Sequence, residues 1–131
     1  MKIVNANHQR PKSQLKSLIR KVDGKTGEQA LDVYLSFNLG TDVFGAWLAY
    51  DNDKIVGMIA CEMVEPHEPK AYIAYNYVKP GHNANPELFG AVEGWAKEKD
   101  IHKIIFFTKS PNTYIKKYGF NFVRSVLDKD I

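Results

Sequence analysis

Residues 54–64 constrain the fold of this chain more than any other stretch. They run Lys-Ile-Val-Gly-Met-Ile-Ala-Cys-Glu-Met-Val, apolar at nearly every position and rich in β-formers. A strand of this kind has no face for water, so it must lie centrally with cover on both sides. Asp51-Asn52-Asp53 is a turn signal, and the strand-like stretch 44–50 precedes it, so the two runs form a β-hairpin. At 131 residues and 44% hydrophobic content, a single domain with an ordinary core is the expectation.

The cover is written on either side of the hairpin. Residues 1–5 suit a short strand. Leu15, Leu18, Ile19 and Val22 fall at helical spacing, so 12–22 reads as an amphipathic helix with Arg10, Lys12, Lys16, Arg20 and Lys21 on its other faces. Thr26 and Gln29 have capping-box spacing for a second helix over 27–38, whose inner face carries Ala30, Leu31, Tyr34 and Leu35. After the hairpin come a tyrosine-rich strand at 71–78 and a helix at 86–99, with Pro86 at its first position and Leu88, Ala91, Val92, Trp95 and Ala96 inward. A strand at 103–108 and a short helix from Ser110 to Tyr118 follow, capped by Gly119. A last strand over 122–127 completes the order. The class is α/β in the broad sense (an α+β mixed sheet), a central mixed β-sheet with helices on both faces. Its 71–108 unit is predicted to be parallel with a right-handed crossover.

Several function classes are disfavoured at this level. Cys61 is the one cysteine, and His8, His67, His82 and His102 are too scattered for a metal centre. No run has the length of a membrane span, and the first residues lack a signal-peptide core, so no membrane partner and a cytoplasmic location are expected. Residues 1–25 carry seven Lys/Arg and one Asp, 26–68 one Lys and eight Asp/Glu, and 69–131 ten Lys/Arg and six Asp/Glu. The basic last half would suit an anionic ligand, although clustered solvated faces explain the pattern more simply. The basic first helix lacks the aromatic-basic interleaving of RNA-binding domains, so a nucleic-acid partner is not expected.

The order of elements, punctuated by Val78-Lys79-Pro80 after one strand and Tyr118-Gly119-Phe120 after the last helix, resembles the GNAT-type N-acetyltransferases. The resemblance covers nearly the whole chain and implies a GNAT-like fold with acetyl-CoA as co-substrate. It implies a small-molecule or peptide amine as acceptor, and leaves a homodimer open. By the same resemblance Tyr77 and Val78 stand at the pantetheine positions, and one of their N–H groups is the expected oxyanion donor. Gly81, His82, Asn83, Ala84 and Asn85 stand in the pyrophosphate loop, and Asn112 at the start of the last helix.

The chain departs from the family pattern at two places. Asn83 stands where a glutamine or basic residue is expected, Ala84, Pro86 and Leu88 stand at the small or glycine positions, and Pro86 has no N–H to give. The position five residues before Phe120, where many relatives have an acid tyrosine, is Ile115, and Tyr114 is its neighbour. For amine attack on a thioester the catalytic candidates are Glu62 as base and Tyr114 as acid. Alternation of Val56, Met58, Ala60, Glu62 and Val64 places that carboxylate on an apolar strand face, where desolvation would raise its pKa; reaching solvent from the strand end is the alternative. A GNAT-shaped binding or regulatory module without transfer is the second functional reading.

Overall fold

The run at 54–64 becomes the middle strand of a five-stranded sheet in the computed structural model, which describes all residues except 8–10, 25, 66, 109, 110, 122, 124–126, 128 and 131, and the backbone alone at 111 and 115. In chain order the elements are β1 (Lys2–Asn5), α1 (Lys12–Val22), α2 (Glu28–Asn38), β2 (Phe44–Asp51), β3 (Lys54–Val64), β4 (Lys70–Val78), α3 (Asn85–Glu98), β5 (Ile104–Phe106) and α4 (Pro111–Tyr118). The sheet order is β1-β2-β3-β4-β5, antiparallel through β4 and parallel between β4 and β5. The predicted strand at 122–127 lies largely outside the described residues.

Each face of the hairpin meets a different helical layer. Trp47 pairs with Ile59, and both join the core under α3 with Leu88, Phe89, Val92 and Ala96. Leu48 pairs with Met58, and both join the core under α1 and α2 with Leu15, Ile19, Leu31 and Leu35. Gly45 is required where the Trp47 ring crosses β2: a Cβ there would lie 2.5 Å from the indole and 3.1 Å from Cys61 Sγ. Buried Asn7 ties β1 to the α2–β2 turn. Its Nδ2 donates to the carbonyls of Thr41 and Phe44 (2.9 Å each), and its Oδ1 accepts from Gly40 N–H (2.8 Å), so its burial leaves no polar atom unpaired.

The basic stripe of α1 turns toward α2 rather than outward. Lys16 Nζ lies 3.0 Å from Glu28 and 2.9 Å from Asp32, and Arg20 lies 2.8 Å from Glu28. Exposed pairs of this kind contribute little stability, but they occupy Lys16 and Arg20, two of the seven cations of the N-terminal segment. Two local expectations differ. The α2 N-cap is Gly27, with no side-chain cap. Thr26 instead donates its hydroxyl to Asp23 Oδ2 (2.6 Å) and its N–H to Oδ1 (3.3 Å), a local bond that outcompetes the capping box. Ala30 is exposed, leaving Leu31 and Leu35 as the buried face.

A splayed strand pair as candidate active site

The pairing of β4 is interrupted once, and the site follows from that interruption. Ala60 faces Tyr75 while Cys61 faces Ile73, so Ala74 is an extra residue, a β-bulge. On the other edge β4 pairs with β5 only from Ala71–Ile104 to Ile73–Phe106. Beyond the bulge, residues 74–78 have no strand partner on that edge among the described residues. The strand predicted at 103–108 is thus shorter than expected, because the bulge turns β4 away from it and opens a wedge.

Alternation identifies which backbone groups face the wedge. Lys79 N–H donates to Val56 O at 2.8 Å, and the Tyr77 carbonyl lies against Gly57, so both point toward β3. The backbone groups of Asn76 and Val78 then point to the unpaired edge. Of the two predicted pantetheine positions, Val78 presents its backbone there, while Tyr77 presents its side chain to the α1–α2 face. Asn76, which the sequence reading did not single out, is the second edge residue. Its Nδ2 donates to Asn85 Oδ1 (2.8 Å) and Met58 O (3.2 Å), linking the open strand to the first turn of α3.

The bulge also resets the side chains. Simple alternation separates Tyr72 from Tyr75 and Tyr77. Instead Tyr72 pairs with Glu62, Tyr75 with Ala60 and Tyr77 with Met58, all on the α1–α2 face. Glu62 is half-buried among them, and desolvation raises its carboxyl above the usual range, with the facing Tyr34 hydroxyl tempering the shift. That hydroxyl is buried and makes no hydrogen bond of normal geometry among the described residues, and burial plus the Glu62 charge hold its proton on. The Tyr34 ring packs edge-on against Tyr75 (5.8 Å between centroids) and Phe44 (6.0 Å). Burial, then the charges of Asp23 and Glu62, raise the Tyr75 hydroxyl as well.

Tyr114 stands on the opposite side of the sheet. Its ring is 4.8 Å from Phe106, the last paired residue of β5, and 6.0 Å from Phe89. Burial raises its hydroxyl, with Tyr118 adding to the shift, so it is a protonated donor at neutral pH. The two catalytic candidates therefore stand on opposite faces of the sheet, Glu62 under α1–α2 and Tyr114 beside α3.

The β4–α3 loop offers a partial anion seat. Gly81 adopts φ +88°, and His82 N–H closes a turn onto Lys79 O at 3.2 Å. Leu88 N–H is taken by Ala84 O, and Pro86 has none, so Asn85 and Glu87 carry the free N–H groups of the first turn. The Ala84 side chain is buried in the core, Asn83 is exposed, and Asn112 is exposed in the first turn of α4. His82 Nδ1 lies 3.5 Å from Asp51 Oδ2, at a shallow cleft of about 420 Å³ lined by Asp51, Asn52, Asp53, Lys54, Val56, Lys79 and His82. That cleft lies at the end of β3 remote from Glu62. Cys61 is fully buried, its thiol pushed up to about 12 mainly by burial, and takes no part. No group of metal-ligating side chains occurs among the described residues, and no described helix is long and apolar enough to cross a membrane.

Residues 14–120 match the model of the acetyltransferase (GNAT) family. The chain belongs to the GNAT family. The wedge, the bulged strand and the helix that starts beside it thus sit in a GNAT acetyltransferase fold. No curated protein matches the sequence. Similar solved structures include AAC(6')-Iy in complex with the bisubstrate analogue CoA-S-monomethyl-acetylneamine, with TM-score 0.80 and 15% identity over 99% of this chain and 97% of that one. A predicted acetyltransferase from Clostridium acetobutylicum with acetyl-CoA has TM-score 0.75 and 23% identity, covering 98% and 95%. The aminoglycoside 6'-N-acetyltransferase AAC(6')-Ih from Acinetobacter baumannii has TM-score 0.77 and 17% identity, covering 99% and 97%.

Proposed function

We propose that this GNAT protein transfers the acetyl group of acetyl-CoA to a primary amine. The observation that carries this reading is the wedge after the Ala74 bulge, in a sheet with Glu62 on one face and Tyr114 on the other. Residues 74–78 offer an unpaired strand edge to an amide-containing arm, which can add to it as a further strand would. The free N–H groups of Asn85 and Glu87 and the Asn85 side chain, held by Asn76, would take phosphate oxygens. The residues therefore fit CoA without the glycine cradle usual in this family, and Pro86 removes one of its donors.

On this reading the amine enters from the α1–α2 face. Glu62, made more basic by desolvation, takes a proton from the ammonium group. The neutral nitrogen attacks the thioester carbonyl carbon, forming C–N as C–S breaks. Val78 N–H, on the open edge, would stabilise the carbonyl oxygen as it gains charge. The nitrogen loses its second proton to solvent water and the departing sulfur takes one from Tyr114 on the far face; solvent then reprotonates the tyrosine and accepts the proton held by Glu62, a net release of one proton. Aminoglycosides, named for two of the similar structures, are one class of amine to be tried.

A second reading keeps CoA binding without transfer, favoured by Ile115 at the usual tyrosine position and by the loop without glycine spacing. Thermal shift with acetyl-CoA, followed by thiol release on adding amines, separates the two. A shift with thiol release supports transfer, a shift alone supports the second reading, and no shift at millimolar acetyl-CoA removes both.

A further inference from the structure

The acceptor face carries an unusual pair of oxygens. The Tyr34 hydroxyl is buried, interacts with the half-buried Glu62 carboxylate, and makes no hydrogen bond of normal geometry among the described residues. A buried hydroxyl without a well-formed hydrogen bond needs an explanation, and a ligand that completes it is one. The third acceptor-rich residue nearby, Asp23, already takes both the N–H and the O–H of Thr26. What surrounds the pair is aromatic. Tyr75 packs edge-on against Tyr34 at 5.8 Å, Tyr72 pairs with Glu62 across the strands, and Phe107, 48% exposed just beyond β5, packs against Tyr72 at 5.7 Å.

We infer that the acceptor is a monoamine carried on a flat apolar body, an arylalkylamine in chemical class, rather than a polyhydroxylated polycation. This deepens the transfer reading above and rests on it. An ammonium group brings three N–H donors, and the Glu62 oxygens with the Tyr34 oxygen supply acceptors for them. Ring faces attract the same cation and cover the carbon skeleton behind it. A polycation would require further free carboxylates at this face; Glu62 is the carboxylate paired into it across the strands, and Asp23, whose charge also reaches Tyr75, is already engaged by the N–H and hydroxyl of Thr26. The bulge at Ala74 is what builds the seat, since it brings Tyr72 onto the face of Tyr75 and Glu62.

The test compares kcat/KM for 2-phenylethylamine, spermidine and kanamycin at saturating acetyl-CoA, by thiol release. The expected result is a preference of at least about tenfold for 2-phenylethylamine, the size of a modest hydrophobic discrimination. Tyr34→Phe and Phe107→Ala should each raise the KM for 2-phenylethylamine several-fold and leave the KM for acetyl-CoA unchanged. Acetyl-CoA thermal shift reports that each variant is folded, and the wild-type ranking decides the matter even if one is not. Preference for kanamycin or spermidine overturns this inference and leaves acetyl transfer standing. Transfer to none of the three, with acetyl-CoA bound, overturns the inference and counts against transfer itself.

Discussion

Glu62 shows how one side chain is tuned by a strand and its neighbours. Its raised pKa has a thermodynamic sign as well as a catalytic one. The folded state holds the proton more tightly than the unfolded chain does, so stability falls as pH rises from the ordinary glutamate range through the raised value, and that cost persists at neutral pH. Glu62→Gln should therefore leave the melting temperature equal or higher while lowering turnover by roughly 100-fold or more. Calorimetry and thiol release on the same preparation check both. The acid limb of the wild-type kcat/KM profile should lie above the ordinary glutamate range and be absent in Glu62→Gln. A limb that persists unchanged in the variant assigns the base elsewhere. The sequence marked Glu62 by alternation, which is regular from Met58 through Ala60 to Glu62, whereas a bulge in β3 turns Val56, expected on the same face, to the α3 side. It did not mark Tyr34, whose position on the inner face of α2 reads as packing until its buried hydroxyl is seen.

At the scale of elements, the hairpin, the helices and the parallel β4–β5 pair were legible because each has a pattern of period 2 or 3.6 with turn residues at its ends. The bulge was not, because an alanine in a tyrosine-rich strand carries no signal of the extra residue it supplies. Its consequences, the wedge and the shared face of Tyr72, Tyr75 and Tyr77, were therefore hidden as well. Asn76 belongs to this scale, since it joins β4 to α3. Asn76→Ala removes the bond that orients Asn85, and should raise the KM for acetyl-CoA by roughly tenfold, the equivalent of about 1.4 kcal/mol, with little change in the KM for the amine. An equal rise in both constants would point to general damage to the sheet. Gly45→Ala drives a methyl into the Trp47 ring and should destabilise by about 1–3 kcal/mol, read from denaturant unfolding, because the ring is itself clasped between β2 and Trp95.

For the molecule as a whole, two helical layers clamp a sheet that is continuous at one end and open at the other. Part of the charge pattern resolves at this scale: Lys12, Lys16 and Arg20 of the basic α1 pair with Glu28 and Asp32 of α2. The opening between β4 and β5 is where the proposed transfer would occur, with Glu62 on one face of the sheet and Tyr114 on the other. Acetyl-CoA at a hundredfold excess over its Kd should stabilise the fold by about 2.7 kcal/mol, near 10 °C for a chain of this size. The measurement that bears most directly on acetyl transfer is release of free CoA thiol when wild-type protein, acetyl-CoA and a primary amine are mixed. The account predicts thiol release that requires all three and is slowed at least about 100-fold by Glu62→Gln. Stabilisation by acetyl-CoA with no thiol release from any amine would contradict it.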